Sequence, residues 1–121
     1  MEAKEIRIGV WLMWKDNGQC FDVGDLLLRQ YHFWNHIDHG DIQPIQLTPK
    51  ILKKCGFENI GRYYFGDNGY EIFKNGKVEL MQPKKNDPFI LAVYETKILF
   101  IHQLQNLYFA LTGEELSINL P

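Results

Sequence analysis

The clearest pattern of hydrophobic and polar positions lies near the end of the chain, in Lys97 to Leu116 (KILFIHQLQNLYFALTGEEL). On a helical projection Phe100, Ile101, Leu104, Leu107, Tyr108 and Leu111 fall in one arc, which predicts an amphipathic helix. His102, Gln105, Asn106 and Phe109 lie opposite or beside that arc, so Phe109 is an aromatic ring among polar neighbours that a loop or strand is expected to cover. Gly113 stops the helix, because a residue without Cβ takes the left-handed conformation that closes a helix C-terminus. Upstream the periods are shorter. Ile6 to Trp14 (IRIGVWLMW) is rich in β-branched and aromatic residues and is followed by Asp16-Asn17-Gly18, so a hairpin is expected, with a return strand from Gln19 through Val23 and a turn or bulge at Gly24-Asp25.

Leu26 to His39 (LLLRQYHFWNHIDH) keeps neither a two-residue nor a 3.6-residue repeat cleanly, and its aromatic content favours a strand. As a strand it places Leu27, Tyr31 and Phe33 on one face and Leu28, His32, Trp34 and His36 on the other, both partly apolar, until Gly40-Asp41 ends it. Pro44 to Phe57 carries a short helix of about two turns with marked ends. Thr48 suits the N-cap, Pro49 the first helical position, Leu47 and Leu52 a hydrophobic staple, Lys53 and Lys54 the last turn, and Gly56 the stop. Ile51, Leu52 and Cys55 are its expected inner face. From Arg62 to Met81 three strands alternate with Gly66-Asp67-Asn68-Gly69 and Asn75-Gly76, the latter a strong signal for a type I′ hairpin. Gln82 to Pro88 is a polar loop, and Phe89 to Tyr94 (FILAVY) is a buried strand leading into the last helix.

The elements together predict an α+β fold in a single domain spanning residues 1–121. A small antiparallel sheet or meander, a short central helix and a C-terminal amphipathic helix packed on the sheet make it up. Composition narrows the picture further. With 45% hydrophobic and 23% charged residues, disordered and fibrous classes are excluded. Aromatic residues reach 14%, more than one small core readily hides, so some rings are expected at a surface that meets a partner. The formal charge of −2 argues against non-specific nucleic-acid binding. No secretory or membrane-spanning pattern is present, and a cytoplasmic protein is expected.

Candidate chemistry is sparse. His32, His36 and His39, with Asp38 and Asp41, carry metal-type donors at close spacing, the basis for an alternative reading as a metal-dependent hydrolase. No HExxH motif or paired cysteine accompanies them, and histidines at a strand's end are the simpler reading. Cys20 and Cys55 lack the local pairing of zinc or redox motifs and read as free thiols. Gly66 to Gly69 lacks phosphate-loop spacing, and Glu114-Glu115 reads as solvated. Arg62, Tyr63 and Tyr64 with Lys84 and Lys85 combine cations and stacking rings, the basis for a second alternative, an RNA- or nucleic-acid-binding accessory protein. Against that stands the alternation of a strand, which should turn Tyr63 or Tyr64 toward the core. Protein binding through Tyr31, His32, Phe33, Trp34 and His36, with Arg62, Lys84 and Lys85 as further contact residues and with no catalytic residue and no cofactor, is the favoured expectation.

The closing phrase HQLQNLYFALTGEEL resembles the ending of a family of small proteins encoded by bacteriophages and prophages. The opening EIRIG and the central PIQLTPKILKKCGF resemble that family more loosely, while Leu26 to Asp41 departs from it. The resemblance implies a non-enzymatic interaction protein acting inside a host cell. Its most concrete form is an anti-CRISPR-type inhibitor that binds a host RNA-guided nuclease, such as a type VI effector, with RNA contact as a further option. The family offers no catalytic residues to carry over.

Overall fold

A computed structural model describes residues 5–84, 86–91 and 96–118. In chain order the elements are β1 (Trp11–Trp14), β2 (Cys20–Asp22), α1 (Asp25–Leu28), α2 (Tyr31–Asp38), β3 (Ile42–Pro44), α3 (Pro49–Lys54), β4 (Glu58–Phe65), β5 (Asn68–Asn75), β6 (Val78–Gln82), β7 (Phe89–Leu91), β8 (Thr96–Ile98) and α4 (Ile101–Thr112). All strand pairs are antiparallel, and the fold is α+β. The described residues form two compact units, one running to Gln46 and including Phe100–Leu107, the other comprising Leu47–Leu99 and the chain from Tyr108.

In the first unit β1 is central in a three-stranded sheet of order β2-β1-β3. The β1–β2 turn is closed by Gly18 in the left-handed region (φ 67°), whose N–H donates to Trp14 O at 2.9 Å. The expected strand from Ile6 is shorter, beginning at Trp11, because Gly9 turns the backbone at φ 94°. Val10, Leu12, Val23, Phe33 and Ile42 form the core with Ile6, and Trp14, Phe21, Leu27, Leu28, Trp34 and Ile37 pack against it.

Leu26 to His39, expected as a strand, is instead the helix pair α1 and α2. The inward residues Phe33, Trp34 and Ile37 are spaced i, i+1, i+4, a helical face that the alternating reading split between two sides. Tertiary burial of that face outweighs the strand preference of the aromatics. Gln30 at the N-cap makes no side-chain cap bond, so the start of α2 carries no local signal. Its end does: Asp41 N–H donates to His36 O at 2.9 Å and Gly40 N–H to Ile37 O at 3.1 Å, with Gly40 at φ 79°, the two bonds of a Schellman closure.

α4 begins at Ile101, and Lys97 and Ile98, the first residues of the stretch that carried the helical pattern and outside its apolar arc, belong to the strand Thr96–Ile98. Gln103, at the third helical position, accepts from Phe100 N–H at 3.2 Å, which is one half of a capping box. Gly113 ends α4 as expected, at φ 74° with its N–H donating to Phe109 O at 2.8 Å. The buried face differs from the projection. Ile101, His102, Leu104 and Gln105 are the buried residues, whereas Leu111 and Phe109 are exposed. The first half of α4 is therefore enclosed over a wider arc than one apolar stripe, while Phe109, expected to be covered, is 45% exposed. This first half packs against the segment leading into β1. Arg7 Nε donates to Asn106 Oδ1 at 2.6 Å, Asn106 Nδ2 donates to Glu5 O at 2.9 Å, and Gln105 bonds Trp11 and Gly9.

The second unit is a five-stranded meander in sequence order, β4-β5-β6-β7-β8, entered through α3. Thr48 Oγ1 accepts from Ile51 N–H at 3.2 Å with Pro49 opening the helix, as expected. Phe57 N–H to Leu52 O at 3.0 Å and Gly56 N–H to Lys53 O at 3.1 Å repeat the Schellman closure, here with two buried apolar side chains at the contact. Ile51 is only half-buried, while Leu52 and Cys55 face inward.

Both long hairpins turn through two residues with glycine first. Phe65 pairs with Asn68 across Gly66-Asp67, and Asn75 with Val78 across Gly76-Lys77. Gly66 (φ 65°) and Gly76 (φ 60°) carry the positive φ, while Lys77 does not, which fits a type II′ turn rather than the expected type I′ turn at Asn75-Gly76. Asn75 is released for another bond, its Nδ2 donating to Cys55 O at the end of α3 at 3.1 Å. Phe73 and Phe89 meet edge to face at 5.5 Å, and Gln82, buried, donates to Asp87 O at 3.1 Å. Phe89–Leu91 is the strand expected there, and residues 92–94 of that expectation lie outside the described residues.

Candidate functional site

The first unit carries a mainly apolar groove of about 380 Å³ lined by Trp14, Phe21, Leu27, Gln30, His32, Phe33, His36 and Ile42. Each element contributes for a local reason. β1 and β2 place Leu12 opposite Phe21 in register, which brings Trp14 and Phe21 to 5.7 Å between ring centroids. α2 lies along the groove and presents His32 and His36 one turn apart. Its Schellman closure folds Asp41 back toward His36, so that His36 Nδ1 and Asp41 Oδ2 stand 3.0 Å apart, a polar contact at the position where such closures usually pack apolar groups. The same imidazole meets Trp14 edge-on at 5.2 Å. The carboxylate and the indole together fix the ring's orientation at the groove wall.

The residues expected to contact a partner are distributed unequally. Tyr31 is 77% exposed and touches His32 edge-on at 6.1 Å. His32 is exposed and His36 half-buried, both on the groove. Phe33 is buried in the core, reaching only the groove floor, and Trp34 is half-buried with Nε1 donating to Leu28 O at 2.9 Å. Helical geometry is the reason, because it turns Phe33 and Trp34 inward while Tyr31 and His32 stay out. Trp14, Phe21 and Ile42 were not singled out from the sequence. Their only signal there was a hairpin rich in aromatic residues, and their meeting with α2 is a tertiary event.

His39 caps α2, with its N–H donating to Asn35 O at 3.0 Å. Among the described residues no three donors of the His, Cys, Asp or Glu type come together as a metal site. Cys20 and Cys55 are free thiols, and burial pushes the Cys55 thiol up to about 11, which suppresses the thiolate that nucleophilic chemistry requires.

Arg62, Tyr63, Tyr64 and Lys84 lie in the second unit, and Lys85 lies outside the described residues. Tyr63 and Tyr64 are both exposed, against the expectation that one faces the core. From Glu58 to Tyr64 every residue of β4 is exposed, so this outermost strand of the sheet is solvated on both faces. A bulge between Asn59 and Gly61 interrupts it, with Asn59 Oδ1 accepting from Gly61 N–H at 2.9 Å, a device that blunts strand-to-strand association at a sheet edge.

No family model, no curated protein and no solved structure matches the chain. Among the described residues no helix is long and apolar enough to cross a membrane.

Proposed function

We propose that this chain is a non-enzymatic interaction protein that docks a protein partner on the α2 face, with the partner's apolar side chain seated in the groove between α2 and the β1–β2 hairpin. The supporting observation is the conjunction of a preformed apolar groove with Tyr31, a ring left 77% exposed beside it. Rigid aromatic side chains next to a desolvating pocket are the usual composition of an interface hot spot. Asp38 and Asp41 are exposed at the end of the same helix and favour a partner with a cationic surface.

The resemblance to small phage and prophage proteins makes the partner concrete: a host RNA-guided nuclease, such as a type VI effector, whose RNA-binding surfaces are basic. In this reading the protein acts in the cytoplasm of the host cell, blocks the nuclease by occupancy and needs neither metal nor cofactor. The test is titration of the purified protein into a guide-loaded type VI effector while target-triggered RNA cleavage is followed. Cleavage should fall at near-stoichiometric protein, and Tyr31→Ala should weaken the effect tenfold or more while leaving the circular-dichroism spectrum unchanged. Full cleavage at saturating protein removes the nuclease as partner, and undiminished inhibition by Tyr31→Ala removes the α2 face as the contact.

A further inference from the structure

The β4–β5 ribbon carries a second surface, distinct from the groove. Cross-strand register pairs Tyr64 with Gly69 and Arg62 with Glu71. Gly69 has no side chain, and Tyr64 Cε1 and Arg62 Nη1 come within 2.9 and 2.8 Å of where a Cβ would stand. A ring and a guanidinium therefore close together over bare backbone, with Tyr64 still 67% exposed. Beside them is a hollow of about 240 Å³ whose walls include Arg62, Asn68, Gly69 and Lys84, with Asp67 also lining it.

We propose that this surface binds single-stranded nucleic acid, Tyr64 stacking on one base while Arg62 and Lys84 hold adjoining phosphate oxygens. Stacking on an exposed tyrosine tolerates any base, and a guanidinium matches a phosphate with paired donors. Arg62 is engaged by Glu71 at 3.6 Å, but both side chains are well exposed (43% and 38%), so the pair is screened and yields to a phosphate. Glu71 also accepts from Asn59 Nδ2 at 2.8 Å, which leaves it a partner when the arginine turns away. Asp67 keeps the footprint small: two cations and one ring, enough for a short piece of strand. A duplex is disfavoured, because its bases are already stacked and its charge density asks for more cations than this surface offers.

The experiment is fluorescence anisotropy of the full chain with fluorescein-labelled 12-nucleotide oligoadenylate as RNA and as DNA, and with the corresponding duplex. Either single strand should bind more tightly than the duplex, and log affinity should fall with log salt at a slope of roughly −1.4 for two phosphate contacts. Tyr64→Ala should lose roughly ten- to a hundredfold in affinity and Tyr64→Phe should retain it. Tyr63→Ala should stay within twofold, since Tyr63 projects from the other face of β4. The double variant Arg62→Ala/Lys84→Ala should flatten the salt slope. Absence of binding to both single strands, equal binding of the duplex, or an unaltered affinity in Tyr64→Ala would each overturn the proposal. Tyr31→Ala should bind the strands normally, so the outcome is independent of the α2 docking face.

Discussion

Gln105 completes the edge of the sheet at Trp11. Its side-chain Oε1 accepts from Trp11 N–H at 2.8 Å, and its Nε2 donates to Gly9 O at 2.8 Å, so one primary amide pairs with the main chain as a neighbouring strand's peptide group would. β3 pairs with β1 only at Leu12 to Trp14, and Gln105 takes over where it ends. On the other side of this segment Val23 exchanges bonds with Val10 and Gly9, at 2.8 and 2.7 Å.

Replacing Gln105 therefore removes more than one side chain. In Gln105→Leu the N–H of Trp11 and the carbonyl of Gly9 are left without this partner at a position where Gln105 is 2% exposed. Each buried unsatisfied group costs about 1–3 kcal/mol, so the variant should lose roughly 2–4 kcal/mol in urea unfolding. Gln105→Glu keeps the acceptor for Trp11 N–H but sets a buried carboxylate against the Gly9 carbonyl, and should lose at least as much as Gln105→Leu. A loss below about 0.5 kcal/mol in Gln105→Leu would mean that water or a backbone shift satisfies both groups.

His102, three residues earlier on α4, is 1% exposed, and among the described residues neither ring nitrogen has a hydrogen-bond partner. It stacks on Phe100 at 5.9 Å, and Glu5 Oε1 is 3.7 Å from Nε2. Burial holds the imidazole below its ordinary value of 6.5, with Glu5 opposing but not reversing the shift. The unfolded chain then binds the proton more readily than the folded one, so the stability linked to this group is fully present above about pH 6.5 and is lost as pH falls below it. Unfolding midpoints measured from pH 7.5 to 5 should fall more steeply in the native protein than in His102→Leu. Parallel profiles would assign the acid sensitivity to other groups.

The two thiols should behave differently. Cys55 is buried, with its thiol pushed up to about 11, while Cys20 is only partly buried. Iodoacetamide at pH 8 should modify Cys20 in the native protein and leave Cys55 untouched until denaturant is added, as read by peptide mass spectrometry. Equal labelling of both under native conditions would place Cys55 in a segment that opens readily.

Local chemistry was legible along much of the chain. Thr48-Pro49 and Gly56 mark both ends of α3, and Gly113 marks the end of α4, because caps are bonds between residues a few positions apart. The hairpins were legible for the same reason, although Gly76 rather than Asn75 opens its turn, since Asn75 is drawn to Cys55 O by a contact 20 residues away. α2 was misread because its entry has no cap and its aromatics suit strands. The Gly40 stop and the Phe33, Trp34, Ile37 spacing were the signals that pointed to a helix.

The candidate site was half visible. The exposed Tyr31 and His32 lie in a run singled out from its aromatic and histidine content, but the groove beside them needs Trp14 and Phe21, which register and packing supply. The stacking surface at Tyr64 was obscured by the rule that a strand buries alternate residues, which fails on an outermost strand solvated on both faces.

By itself the sequence determined the α+β class, the stops of α3 and α4 and the positions of the hairpins, all consequences of interactions within a few residues or of residue-type preference. Tertiary structure alone decided that Leu26 to His39 is helical, that Gln105 and His102 go inside while Leu111 stays out, and which rings share a groove. Those outcomes depend on what each surface meets across the fold, and no local preference of a few tenths of a kcal/mol outweighs the burial of a whole face.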